Sequence, residues 1–209
     1  MSKKKEKYVI CKSDLYVPHD SVKLSTCVRN CLSSSTYFDK VSESQFERDL
    51  ANNIPISWDV NGYNVTNADI KKFYNDIYLP ERATIGSAGY DFFAPFTFKL
   101  TPGETIKIPT GIRAEMQEDW VLQIYPRSGL GFKYRLQMNN TVGIIDSDYF
   151  FSDNEGHIFM KITNDSNEGK TVEVPAGTGF AQGIFMQYGI TEDDDAEGIR
   201  NGGFGSTTK

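Results

Sequence analysis

The feature that most constrains this chain is its punctuation. From about Tyr78 onward, short apolar or alternating runs are interrupted by Gly, Pro, Asn and Asp. The runs have the length of strands, and the interruptions supply turn geometry, which together predict an all-β barrel or sandwich. Thr105–Ile108, Trp120–Ile124, His157–Ile162 and Thr171–Val174 read as strands, and Tyr8–Cys11 as one more at the N-terminus. Thr101-Pro-Gly, Pro109-Thr-Gly, Asn164-Asp-Ser-Asn and Pro175-Ala-Gly-Thr-Gly read as the turns between them.

Between Asp20 and Ile77 the texture becomes helical. Ser42-x-x-Gln45 resembles a capping box and is followed by Phe46 and Leu50 at i, i+4. Thr66-x-x-Asp69 is a weaker version, leading to Ile70, Phe73 and Ile77 on one stripe. The expected organisation is an N-terminal barrel strand in residues 1–19 and a helical insertion in 20–77 that packs on the barrel. The barrel itself follows in 78–190, and a flexible glycine-rich tail in 191–209.

Charge and composition exclude several classes. The formal net charge of -6 lacks the basic footprint of general nucleic-acid binding. No stretch of about 18 uncharged apolar residues is present, so no membrane partner is expected. The lysine-rich start runs directly into a strand-like segment rather than a signal-peptide core, and a cytoplasmic location is expected. Three cysteines do not make a disulfide framework. Cys27 and Cys31, with His19 nearby, lack a convincing fourth ligand for a closed zinc site and read as ordinary reduced thiols.

Chemistry concentrates in a few segments. Gly169-Lys-Thr171 mimics the end of a P-loop, but the first glycine would fall at Asn164 and a strand follows where a helix is required. It reads as a turn. Ser87-Ala-Gly-Tyr-Asp91 places an acid beside small residues. Pro126-Arg-Ser-Gly-Leu130 sets a bend before an Arg, a hydroxyl and a glycine whose N–H can approach an anion. Val142-Gly-Ile-Ile-Asp-Ser-Asp-Tyr149 puts two carboxylates at the end of an apolar strand, which reads either as a turn at a strand end or as a metal ligand or a base that activates water. Arg200-Asn-Gly-Gly-Phe-Gly-Ser-Thr207 would suit a lid over a base and phosphates.

In this order, Ala88–Asp91, Pro126–Leu130, Gly143–Tyr149, Ala181-Gln182 and Gly202–Thr207 resemble the five ordered motifs of the trimeric dUTPases. The resemblance covers about Tyr78 to Lys209. It implies a distorted jelly-roll-like β barrel of the β-clip type, mainly β with the small helical insertion added. It also implies a homotrimer with active sites shared between subunits, and Mg²⁺-dependent cleavage of dUTP to dUMP and pyrophosphate. By the same resemblance, Asp146 activates the attacking water, Asn140 reads uracil with backbone groups of Gly143, Ile144 and Ile145, and Tyr149 excludes a 2′-hydroxyl. Arg127, Ser128 and Gly129 match phosphate ligands, Gln182 a residue near the α phosphate, and Asp91 an acid that holds Mg²⁺ through water. Arg200, Phe204, Gly205, Ser206 and Thr207 match the closing tail, with Phe204 stacking on the base.

Two departures stand out. Family members commonly place a glycine one or two residues after the motif tyrosine, whereas Phe150–Glu155 intervene here before Gly156. Arg200 precedes Phe204 by four residues rather than five. The related dCTP deaminases need a glutamate on the strand after the third motif, and His157-Ile-Phe-Met-Lys161 offers none. The alternative reading is a regulatory protein that engages a macromolecular partner through the helical insertion.

Overall fold

The computed structural model describes residues 8–10, 16–18, 36–54, 66–198, 200, 202 and 203. The strand-and-turn texture folds as expected into short antiparallel strands. They are β1 (Tyr8–Ile10), β2 (Tyr16–Pro18), β3 (Tyr37–Lys40), β4 (Tyr90–Phe93), β5 (Phe98–Leu100), β6 (Thr105–Pro109), β7 (Ile112–Glu115) and β8 (Trp120–Pro126). After them come β9 (Leu136–Met138), β10 (Gly143–Asp146), β11 (Phe159–Asn164), β12 (Val172–Val174) and β13 (Gly179–Gln187). Among the described residues, three α-helices join them: α1 (Glu43–Asn53), α2 (Asn67–Asn75) and α3 (Ser128–Tyr134).

The largest sheet has the order β10-β8-β13-β4, and a second has the order β6-β11-β9. The pairs β12-β5, β3-β7 and β1-β2 complete the described pairing. Alternation along the strands sends one row of side chains inward. Ile106 and Ile108 of β6, Leu122 and Ile124 of β8, and Met160 and Ile162 of β11 are all buried in a common core with Phe92, Phe98 and Phe180. The P-loop mimic is a turn, as read: Gly169 has φ 70 and leads into β12.

The N-terminal region departs from expectation in two ways. Tyr8–Ile10 pairs with Tyr16–Pro18 and not, among the described residues, with a barrel strand. The partner of β7 is instead β3, which lies inside the segment that reads as helical. Four residues are too few to carry a strand period of their own, and β3 exists because Ile112–Glu115 offers an edge for it.

Helices α1 and α2 do pack on the barrel. Phe46, Leu50 and Ile77 are buried in the common core, and Phe73 packs against it. Full burial of a side chain such as Phe46 contributes about 1.5–3 kcal/mol. The capping also differs from the sequence reading. Thr66 and Asp69 form the complete reciprocal box. At Ser42 only half of one forms: its hydroxyl accepts from the Gln45 N–H, while the Gln45 side chain turns to Asp49 and Arg48. The Ser42 N–H donates to the carboxylate of Glu155, far away in sequence, at 2.7 Å.

Candidate active site

β10 is the edge strand of the largest sheet, paired on one side with β8 from Gly143↔Ile124 to Asp146↔Val121. One row of its peptide groups therefore faces away from the ladder, available to a flat hydrogen-bonding ligand. The turn from β9 into β10 is tight: the Val142 N–H donates to the Asn140 carbonyl at 2.7 Å, and Thr141 sits at φ 67. Left-handed backbone at a β-branched residue is strained, and such strain clusters at binding sites.

The strand and its turn line a cavity of about 200 Å³. Of the residues singled out from sequence, Asn140, Gly143, Ile144, Ile145, Asp146, Tyr149 and Arg200 meet there. Ile124, Phe159 and Gly203 complete the lining. Phe159 follows from neither motif nor charge; only the register of β11 brings it in.

Tyr149 lies in a 3₁₀ turn, Ser147–Phe151, that follows β10 directly. Its ring is buried, and burial pushes its hydroxyl up from the ordinary tyrosine value, so it stays a neutral donor. That hydroxyl donates to the His157 carbonyl at 2.7 Å and accepts from the Asn154 amide at 2.8 Å. The tail reaches the same ring. Gly203 lies so close that a Cβ there would fall 2.9 Å from a Tyr149 ring carbon. Arg200 donates to Asp146 and, at 2.7 Å, to Asp148, with its guanidinium 5.9 Å from the Tyr149 ring centroid. Asp148 was legible only as the second acid of its motif; its pairing with Arg200 is a tertiary fact.

The remaining motif residues gather at another place. Gln182 of β13 is paired in register with Asp91 of β4, on one side, and with Tyr125 of β8 on the other. Arg127, just past the end of β8, lies with Nε 3.4 Å from the Asp91 carboxylate and donates to the Gly179 carbonyl at 3.3 Å. Ser128 and Gly129 open α3 and are exposed. Asp146 is opposite Val121, and Arg127 lies six residues further along the same strand direction. At about 3.3 Å per residue, the two clusters of one chain are separated by roughly 20 Å.

Phe204, Gly205, Ser206 and Thr207 lie outside the described residues, as do His19, Cys27 and Cys31. Among the described residues, no group of three or more His, Cys, Asp or Glu side chains is placed to hold a metal ion. No described helix is long and apolar enough to cross a membrane.

Comparison with known proteins gives one consistent answer. A family model described as dUTPase matches residues 75–208. The deoxyuridine 5′-triphosphate nucleotidohydrolase of Lactococcus lactis subsp. lactis is 42% identical over 142 residues, covering 66% of this chain and 93% of that protein. The enzyme of the same name from Hahella chejuensis is 38% identical over 145 residues, covering 66% of this chain and 91% of that protein. Among solved structures, the dUTPase of Streptococcus mutans superposes with a TM-score of 0.50 at 36% identity. It covers 56% of this chain and 91% of that one. The fold is the mainly antiparallel β fold of that enzyme, with helices α1 and most of α2 preceding the matched region. The chain belongs to the dUTPase family.

Proposed function

We propose that this chain hydrolyses dUTP to dUMP and pyrophosphate. The observation that carries the reading is the cavity under β10, where one continuous segment supplies a base-reading edge, an acid and a buried aromatic. The outward peptide groups of Gly143–Ile145 and the Asn140 amide match the donors and acceptors along one edge of uracil. Tyr149, held rigid at its hydroxyl, occupies the space beneath the sugar and leaves no room for a 2′-hydroxyl.

Hydrolysis of a triphosphate leaves a protein little covalent chemistry to do, so positioning and charge stabilisation dominate. Asp146 acts as the base for the attacking water. In the free chain its carboxylate is engaged by Arg200. An entering phosphate competes for the same guanidinium, which would free Asp146 to face the water and bring Arg200 to the phosphates. Phe204, with Gly205, Ser206 and Thr207, would then close over the base and phosphates. Arg127, Ser128 and Gly129 bind the phosphate chain, and Gln182 orients the water near the α phosphate.

Enzymes of this family typically use Mg²⁺. The donor set suits that ion: Mg²⁺ is commonly held by one or two carboxylates, waters and substrate phosphates rather than by a protein cage. Asp91, whose carboxylate lies 3.4 Å from Arg127 Nε and whose strand pairs with Gln182, would hold it through water. When bound, the ion would neutralise charge on the phosphates.

The separation of the two clusters favours a shared site. Asp146 and Gln182 must both reach the α phosphate, yet they flank β8 opposite Val121 and Tyr125, about 13 Å apart along the strand and two strand spacings apart across it. A closed ring of three chains, each presenting its β10 cavity to a neighbour's Arg127 cluster, resolves the conflict. The test is pyrophosphate release from dUTP, dTTP, dCTP and UTP, with and without Mg²⁺. Turnover confined to dUTP and dependent on the metal is expected. Equal turnover of all four would refute the assignment.

A further inference from the structure

We propose that helix α1, which lies before the family-matched region, is a positioning element for Tyr149, acting through Asp49 on His157 and through Ser42 on Glu155. The inference rests on the reading of Tyr149 as the residue beneath the sugar. It joins helix α1, outside the family-matched region, to the segment that leads from Tyr149 to Gly156 inside it.

The hydroxyl of Tyr149 is fixed at both of its hydrogen-bonding positions by the segment that follows it, through the His157 carbonyl and the Asn154 amide. Ser152 ties the same segment back, its hydroxyl bonding the Tyr149 carbonyl at 2.7 Å. Gly156 closes it at φ 71, where a Cβ would come within 2.7 Å of the Phe150 Cα. The orientation of the Tyr149 ring is thus set by wherever residues 152–157 are held.

What holds them is α1. The His157 ring is fully buried. Its Nε2 accepts from the Gly111 N–H at 2.8 Å, so the proton of the neutral ring is on Nδ1. Nδ1 donates to the Asp49 carboxylate at 2.6 Å, and Asp49 is steadied by the Gln45 amide at 2.8 Å. Nearly two turns earlier on the same helix, the N-cap Ser42 donates both its N–H and its hydroxyl to Glu155, at 2.7 and 2.6 Å. One helix therefore clamps one segment at two points. Without Asp49, a buried N–H would be left unpartnered, and shifting His157 to recover a partner moves the carbonyl that Tyr149 bonds. The His157 ring also packs at a tilt against Phe159, centroids 4.5 Å apart, and Phe159 lines the cavity, so the displacement reaches the site by a second route.

The test compares kcat/KM for dUTP with that for UTP in the full chain and in three variants. Asp49→Ala should lower the dUTP/UTP ratio by about tenfold or more, the scale on which a displaced site group acts. Asp49→Asn, whose amide oxygen still accepts from Nδ1–H, should restore most of the ratio. Ser42→Ala with Glu155→Ala removes the exposed clamp without burying an unpaired group, and should lower the ratio by about threefold or more. It decides the matter should Asp49→Ala fail to fold. A ratio unchanged within about twofold in the folded variants, beside a discriminating wild type, would overturn the positioning role even if their thermal stability fell. A wild type that hydrolyses UTP as readily as dUTP would overturn the role of Tyr149 itself, and this inference with it.

Discussion

The strand register makes a sharp prediction about where the parts of one active site come from. Asp146→Asn should remove the base, a loss of about 10²–10⁴ in turnover. Arg127→Ala should remove charge-assisted phosphate contacts, worth about 1.5–3 kcal/mol, or roughly 10–150-fold. Both side chains are about half exposed, at 45% and 44%, so neither change should cost much stability. Because Asp146 and Arg127 of one chain are roughly 20 Å apart, the proposed shared site takes Asp146 from one chain and Arg127 from another. In any ring of three containing both variants, about one site in three then has both residues intact. Mixed assemblies selected through two affinity tags should recover about a third of wild-type turnover. If each chain completed its own site, the mixture would show only the mean of its parents, about 5% or less for a tenfold loss in Arg127→Ala. Turnover at that mean would refute the register argument.

Three further outcomes are expected. Tyr149→Ala should narrow the preference for dUTP over UTP while weakening both reactions, measured as kcat/KM; an unchanged preference would remove Tyr149 from sugar selection. Phe46→Ala, outside the family-matched region but in the common core, should cost about 3–5 kcal/mol in denaturant unfolding. Partial burial pushes the carboxyls of Asp49 and Glu155 up, but hydrogen bonds outweigh it and hold both below their ordinary values. The bonds come from His157 and Gln45 for Asp49, and from the Ser42 hydroxyl and N–H for Glu155. Their stabilisation is present above the ordinary carboxylate range and is lost as pH falls through the lowered folded values. Asp49→Asn with Glu155→Gln should therefore lose less thermal stability than wild type between about pH 5 and 3; parallel curves would contradict this.

How much was legible in the amino-acid order depends on how far each signal reaches along the chain. The turn residues, the alternation of Ile106, Ile108, Leu122 and Ile124, and the stripe of Phe46 and Leu50 are local. Each is set by residues within one or two turns of backbone, so strands, helices and the core face could be read directly. The ordered motifs from Ala88 to Gly202 were legible too, because the chemistry they share with relatives is written in contiguous residues. From these the family followed.

The tertiary structure decided what depends on register between distant segments. Ser42 looks to Gln45 for its reciprocal cap, yet finds Glu155, because a carboxylate brought in by a folded loop outcompetes a side chain already engaged by Asp49 and Arg48. Tyr37–Lys40 becomes a strand only because β7 offers it an edge. Asp146 and Arg127, a short distance apart in the motif order, are carried to separate places along β8 by antiparallel pairing. Buried His157 acquires its meaning only once Gly111 and Asp49 close on opposite sides of its ring. Local order specifies which residues can form an element; only pairing across the fold specifies which of them meet, since contact between segments depends on register and not on sequence distance.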